Sequence, residues 1–243
     1  MQACYKSYVL RRVKLLTAIL LLPCCFAVGQ VFFGVVIQLG FSGMVLVPLA
    51  AGSACMLLLY TYMPKPIWAY VFGHEFSHAI ACMLCGGRVK GMKISNNGGH
   101  VYVTRDNFFV TLAPYFTPIY AIAVFAVFAL GRQVLGWGAP VTWAAFFWAL
   151  GLTYSFHVLL TWDILHTRQP DIISRGYLFS AVVVFLGNAL VAVLGVVFVS
   201  NDIRLPQIAH SLGDEVSETY RIIGSLVQNA PTAINSALNS FLS

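Results

Sequence analysis

The sequence predicts an all-α polytopic membrane protein, with about six transmembrane helices and a small β-hairpin inserted after the third. Three observations carry that expectation. Of 243 residues, 59% are hydrophobic and 9% charged, whereas an ordinary soluble domain carries about 25% charged residues. Several apolar stretches exceed the roughly 18 residues that cross a bilayer. Between two of them a segment alternates polar and apolar residues around Asn96-Asn97-Gly98-Gly99, which is a hairpin signature. The bilayer then replaces a single water-excluded core, and residues 1–200 form one integral, multi-pass membrane domain.

The first span follows Lys6, Arg11, Arg12 and Lys14 and runs over about 15–39. That is longer than the roughly 7 to 15 residues of a signal-peptide core, so it is read as a retained helix. Gly40-Phe41-Ser42 ends it, and the second span covers about 43–62. Pro64-Lys65-Pro66 separates this from the third, about 66–85, and the hairpin fills 86–107. The remaining spans are about 108–131, 142–165 and 177–199, divided by Arg132 to Pro140 and by the polar run His166 to Arg175. Trp68, Trp137, Trp143 and Tyr177 fall near proposed span ends, where amphipathic rings settle at the head-group level. After Ser200 the texture changes. Residues 201–243 hold half of the chain's eight acids and read as one or two amphipathic surface helices, with Val216, Tyr220, Ile223 and Val227 on one side. This tail is a candidate contact for a membrane-protein partner or for the bilayer.

The net charge of +6 comes from 14 basic residues spread over short loops and the amino-terminal arm. Such a spread sets orientation and touches lipid head groups, and it argues against nucleic acid as a partner. Cys24, Cys25, Cys55, Cys82 and Cys85 lie in or at the end of apolar helices, where they behave as small hydrophobes rather than as metal ligands. Arg88, Lys90, Lys93 and Arg105 argue for a cytosolic hairpin. The basic amino terminus conflicts with that if three spans separate the two. Either one of the first two segments is re-entrant, or the hairpin's cations mark a substrate surface.

Glu75 is the only glutamate in the first 200 residues, and it sits in His74-Glu75-Phe76-Ser77-His78 inside an apolar stretch. An ionisable side chain at membrane depth costs about 2.5 to 3.5 kcal/mol by insertion scales and is kept for a function. Two histidines four apart share one face of a helix, the spacing that grips one zinc ion, and the glutamate between them serves as a general base. Catalytic zinc takes a third protein ligand. A histidine six residues beyond His78 is ruled out by Leu84, and the next glutamate is Glu215 in the tail. Asp171 in Gln169-Pro170-Asp171-Ile172 is the preferred third ligand, because a turn opened by Pro170 can aim an oxygen inward. Asp163 is the alternative, and His166 and His157 remain open. Asp163 paired with His157 or His166 is read instead as a support that orients a ligand.

These features resemble the site-2 protease family of intramembrane zinc metalloproteases, as a divergent member. The resemblance runs from about Pro66 to Gly176 and rests on four ordered elements. They are His74-Glu75-Phe76-Ser77-His78, Gly98-Gly99-His100-Val101, Leu112-Ala113-Pro114 opening the next helix, and Pro170-Asp171. The chain departs from the family at Ala113, where glycine is usual, at Thr117, where asparagine is usual, and at Ile172, where glycine is usual.

The resemblance implies one Zn²⁺ per chain on His74, His78 and Asp171, with Glu75 as the base that activates a water for hydrolysis. It also implies that Gly99, His100 and Val101 form an edge strand for an extended substrate and that Thr117 stands near the scissile bond. A transmembrane helix must unwind before its amides can be cut, and a free strand edge replaces the hydrogen bonds it loses. The implied activity is endopeptidase cleavage in or next to a transmembrane segment of another membrane protein. A non-catalytic membrane subunit that binds or assembles partners, and a transporter whose His-Glu-His cluster handles protons or metal ions, are the competing classes.

Overall fold

A computed structural model describes residues 2–38, 43–95, 98–167, 169–200 and 203–242. The described elements, in order, are α1 (Gln2–Gln38), α2 (Gly43–Tyr62), α3 (Ile67–Leu84), β1 (Val89–Ser95), β2 (Gly98–Val103), α4 (Phe108–Leu112), α5 (Ile119–Leu135), α6 (Pro140–Leu165), α7 (Pro170–Arg175), α8 (Tyr177–Val199) and α9 (Leu205–Leu242). The fold is therefore helical with one hairpin after the helix that carries the histidine pair.

Among the described residues, four helices are long and apolar enough to cross a membrane: Leu10–Gln38 within α1, then α2, α6 and α8. Their outward faces are apolar, as a lipid solvent requires, with Leu20 65% and Phe33 67% exposed. The count differs from about six in two places. The expected 108–131 span is broken into Phe108–Tyr115 and Ile119–Leu135, bent by 80°, which together make a fifth crossing if taken as one. Pro118 is the physical reason, since a proline donates no backbone hydrogen bond and disfavours helix in the residue before it. The other is α3, which holds His74, Glu75, Ser77 and His78 and falls outside that set.

The chain divides into two compact units, residues 40–187 and residues 1–39 with 188–243. The division falls inside α8, and the tail groups with α1.

In the 40–187 unit, α2 and α6 approach so closely that only glycine fits the crossing. A Cβ on Gly52 would stand 2.0 Å from the Trp148 carbonyl oxygen, and one on Gly151 would stand 2.1 Å from that of Leu49. Ser53 Oγ donates to the Gly151 carbonyl at 3.3 Å. Small residues that let backbones touch are how helices associate without a hydrophobic drive between them. Below this pair, Ala81, Cys82, Val110, Leu112, Ala113, Tyr115, Phe116 and Ile172 form a buried cluster that locks α3, α4 and α7 together. Cys82 is fully buried there as packing. The hairpin strands pair antiparallel from Val89↔Val103 to Ser95↔Gly98, with an irregularity between Val89 and Gly91. Its Asn96-Asn97 tip lies outside the described residues.

In the other unit α9 runs against α1. Val35, Ile203 and Ile208 form a small core, and the Tyr220 hydroxyl donates to the Leu20 carbonyl. The tail is one helix from Leu205 to Leu242. Of the four residues expected on one side, Val216 is half-buried, while Tyr220, Ile223 and Val227 are exposed.

Candidate metal centre

Helix α3 turns about 100° per residue, so His74 and His78 lie about 40° apart on one face. Glu75 falls about 60° past His78 on one flank, and Ser77 about 60° before His74 on the other. The imidazoles meet edge to face, with ring centroids 5.0 Å apart. Tyr70, one turn earlier, holds its hydroxyl 3.4 Å from His74 Nδ1. His78 Nδ1 lies 2.8 Å from the Val110 carbonyl oxygen. With its Nδ1 as the donor in that bond, His78 keeps Nε2 free as a ligand atom.

The third group arrives on α7, a six-residue helix whose first residue is Pro170 and whose first turn holds Asp171. Asp171 Oδ2 stands 3.6 Å from His74 Nε2 and 3.5 Å from His78 Nε2. Those separations are too long for hydrogen bonds. They match the edge of a tetrahedron with zinc at its centre, about 3.4 Å for bonds of about 2.1 Å. The three ligand atoms all lie within 4.8 Å of one another. Two imidazoles and one carboxylate are a borderline-soft donor set suited to zinc with one position left open. The residues therefore fit the metal, by geometry and by donor chemistry.

Several supporting groups carried no signal in the sequence. The Tyr115 hydroxyl donates to Asp171 Oδ2 at 3.2 Å, and its ring stands edge-on to His74 at 5.5 Å. Arg175 donates to Thr111 Oγ1 at 2.7 Å and pairs with Asp106, which ties the far end of α7 to the start of α4. Asn107 caps α4 by accepting from the Val110 N–H at 2.8 Å. Helix α4 thus orients His78 through Val110 and anchors the helix of Asp171 through Thr111.

Other sequence candidates fall elsewhere. Asp163 is not at the centre: its carboxylate accepts from Tyr60 at 2.6 Å and from Lys65 at 2.5 Å. It pairs with neither His157 nor His166 by hydrogen bond among the described residues. His166 is exposed at the end of α6, with Nδ1 on the Trp162 carbonyl at 2.8 Å. His157 is buried on α6 and lines a cavity of about 20 Å³ with Tyr70, His74, Ser77, Thr117 and Tyr120. On β2, Gly99 and Val101 face α3, whereas His100 packs its ring on Tyr102 and is exposed. A Cβ on Gly99 would stand 2.6 Å from Val71 and 2.7 Å from Glu75 Cγ, so the strand lies directly on the glutamate. Glu75 is 8% exposed and takes no hydrogen bond from a described residue.

The departures from the family's pattern have local reasons at two positions. Ala113 and Ile172 are 1% and 8% exposed and fill the cluster that joins α3, α4 and α7.

No curated protein and no solved structure matches the chain. Asp171 lies just beyond the stretch covered by a family model that does match. Residues 51–167, from within α2 to just past α6, match the family model described as Peptidase M50B-like, and over that stretch this multi-pass membrane protein is similar to the site-2 protease group.

Proposed function

We propose that this chain is an intramembrane zinc endopeptidase that hydrolyses a peptide bond in or next to a transmembrane segment of another membrane protein. The observation that carries the reading is the convergence of His74, His78 and Asp171 at tetrahedral-edge separations beside a buried glutamate. One Zn²⁺ held by these three residues supplies a Lewis acid that polarises the scissile carbonyl and makes a nearby water acidic. Glu75 accepts that water's proton as it attacks and passes it to the leaving amine. Val110 and Tyr70 orient the imidazoles, and Tyr115 and Arg175 hold Asp171 and its helix. The outer edge of β2, at Gly99, His100 and Val101, receives the unwound substrate as an added strand. The basic loops meet lipid head groups.

Thr117, standing where the family usually has asparagine, favours one other reading: a non-catalytic subunit of the same fold that binds or assembles membrane proteins. Glu75→Gln separates the two. Under the proposal the purified variant keeps about one zinc per chain and loses cleavage by at least about 10²-fold. A biological output unchanged by Glu75→Gln would establish the subunit reading.

A further inference from the structure

We propose that His157 is a catalytic residue which donates a ring N–H to the carbonyl oxygen of the bond being cut, on the side of the site opposite Glu75. The inference rests on the proteolytic reading above. Its starting point is a largely buried imidazole that faces open space. His157 is 8% exposed on α6, and its ring nitrogens make no hydrogen bond to a described residue. Its nearest aromatic neighbour, Tyr154, stands 6.4 Å away, centroid to centroid. The ring nitrogens are not among the fully buried polar atoms left without a partner, so they reach the open space beside the ring.

The cavity beside it is about 20 Å³, room for roughly one water, and it is lined from α3 by Tyr70, Gly73, His74 and Ser77. On the helical wheel that is the flank of His74 away from Glu75. Most donors around it are already committed: Ser77 Oγ to the Gly73 carbonyl at 2.7 Å and Tyr120 to the Ala69 carbonyl at 2.5 Å. Thr117 and His157 are not. The half-buried Thr117 stands at the break between α4 and α5 and lines the same cavity as the imidazole.

The chemistry needs a donor there. As water oxygen bonds to the carbonyl carbon, the C=O π pair moves to oxygen, and Glu75 takes the proton released. The C–N bond then breaks, its pair going to nitrogen, which takes the proton back from Glu75. Negative charge appears only on the carbonyl oxygen, and a fixed N–H aimed at it stabilises the transition state selectively. His157 transfers no proton in this scheme. A neutral imidazole has one N–H to donate.

The test uses full-length protein in detergent, fluorescent casein as an unstructured substrate, and a peptide phosphonamidate as a tetrahedral mimic, with its binding read by calorimetry. His157→Ala is expected to keep about one zinc per chain and a KM within about twofold, while kcat falls about 10²- to 10³-fold. Phosphonamidate binding weakens by a similar factor, and His157→Gln, which restores a donor, regains at least about tenfold of both. Should the alanine variant fail to fold, His157→Phe fills the space without a donor, and the contrast between Gln and Phe decides. Unchanged kcat, zinc lost together with kcat, or Gln no better than Phe would overturn the role of His157 alone. A wild-type protein that neither cleaves casein nor binds the phosphonamidate would overturn the proteolytic reading with it.

Discussion

Asp163 lies near the end of α6 and Asp171 in the first turn of α7, on either side of one turn, yet they sit in different environments. Asp171 Oδ2 lies 3.6 and 3.5 Å from two imidazoles and 3.2 Å from a tyrosine hydroxyl that is itself 1% exposed at its residue. Asp163 is held by Lys65 and Tyr60, and that ion pair is about as open as a surface pair, with side chains 41% and 33% exposed. One carboxylate sits among two imidazoles and a tyrosine hydroxyl, the set proposed to hold zinc. The other already has its cation. The difference teaches that an acid at membrane depth announces only that it needs a partner. Which partner it finds depends on residues far away in the chain, Lys65 for one and His74 with His78 for the other.

The sharpest way to break this comparison is to remove each carboxylate and count metal. Asp171→Ala is expected to strip zinc from about one per chain to near none, with affinity for the metal lowered by more than the 10- to 100-fold typical of losing a supporting partner. Asp163→Ala keeps its zinc. Competition against a chelator of known affinity reads both. The reverse order would move the metal site to the end of α6 and undo the assignment of Asp171.

Much of this centre was legible in the residues because its chemistry is local. The i, i+4 histidines and the glutamate between them are fixed by helical spacing alone, and Pro170 marks the start of the short helix that carries Asp171. The hairpin was legible through Asn-Gly and alternation. What was not legible depends on long-range packing. Val110 presents a carbonyl to His78, and any residue has a carbonyl, so no side-chain type signals it. Tyr115 reads as one more aromatic in an apolar run until α7 packs beside it. The break at Thr117-Pro118 was visible as a proline, but its 80° bend was not. The destination of Asp163 needed the crossing of α2 over α6, which glycines at 52 and 151 permit without any motif.

That crossing gives a second test. In Gly151→Ala the new Cβ would meet the Leu49 carbonyl at 2.1 Å, a backbone atom that cannot swing aside, so α2 and α6 must part. Overpacking of this kind destabilises by about 1 to 3 kcal/mol. The expected result is a clearly lower thermal midpoint with zinc content near wild type, because the three ligands sit on α3 and α7. Loss of zinc in step with stability would show that the two regions are coupled rather than separate.

A gentler contrast concerns Gly99. Alanine there would press on Val71 and Glu75, at 2.6 and 2.7 Å, and β2 has a free outer edge along which to shift. Gly99→Ala is therefore expected to keep zinc and most stability while lowering casein cleavage about tenfold or more, since a displacement near 1 Å at a catalytic group costs up to about 10²-fold. Full activity in this variant would mean that the strand does not need to lie so close to Glu75.

The smallest effect is expected at the Lys65 clamp. Hydrogen bonds to the Asp163 carboxylate and the Tyr60 hydroxyl hold the Lys65 ammonium above its ordinary value. A group raised in the folded state contributes fully below its unfolded value and loses that contribution as pH climbs through the folded one. Lys65→Met should therefore lower the thermal midpoint slightly at neutral pH, leave zinc unchanged, and converge with wild type in strong alkali, where the lysine gives up its proton. An exposed pair is worth little in any case. A large loss at neutral pH, or a loss of zinc, would mean that the clamp braces the metal centre and that the two aspartates belong to one network.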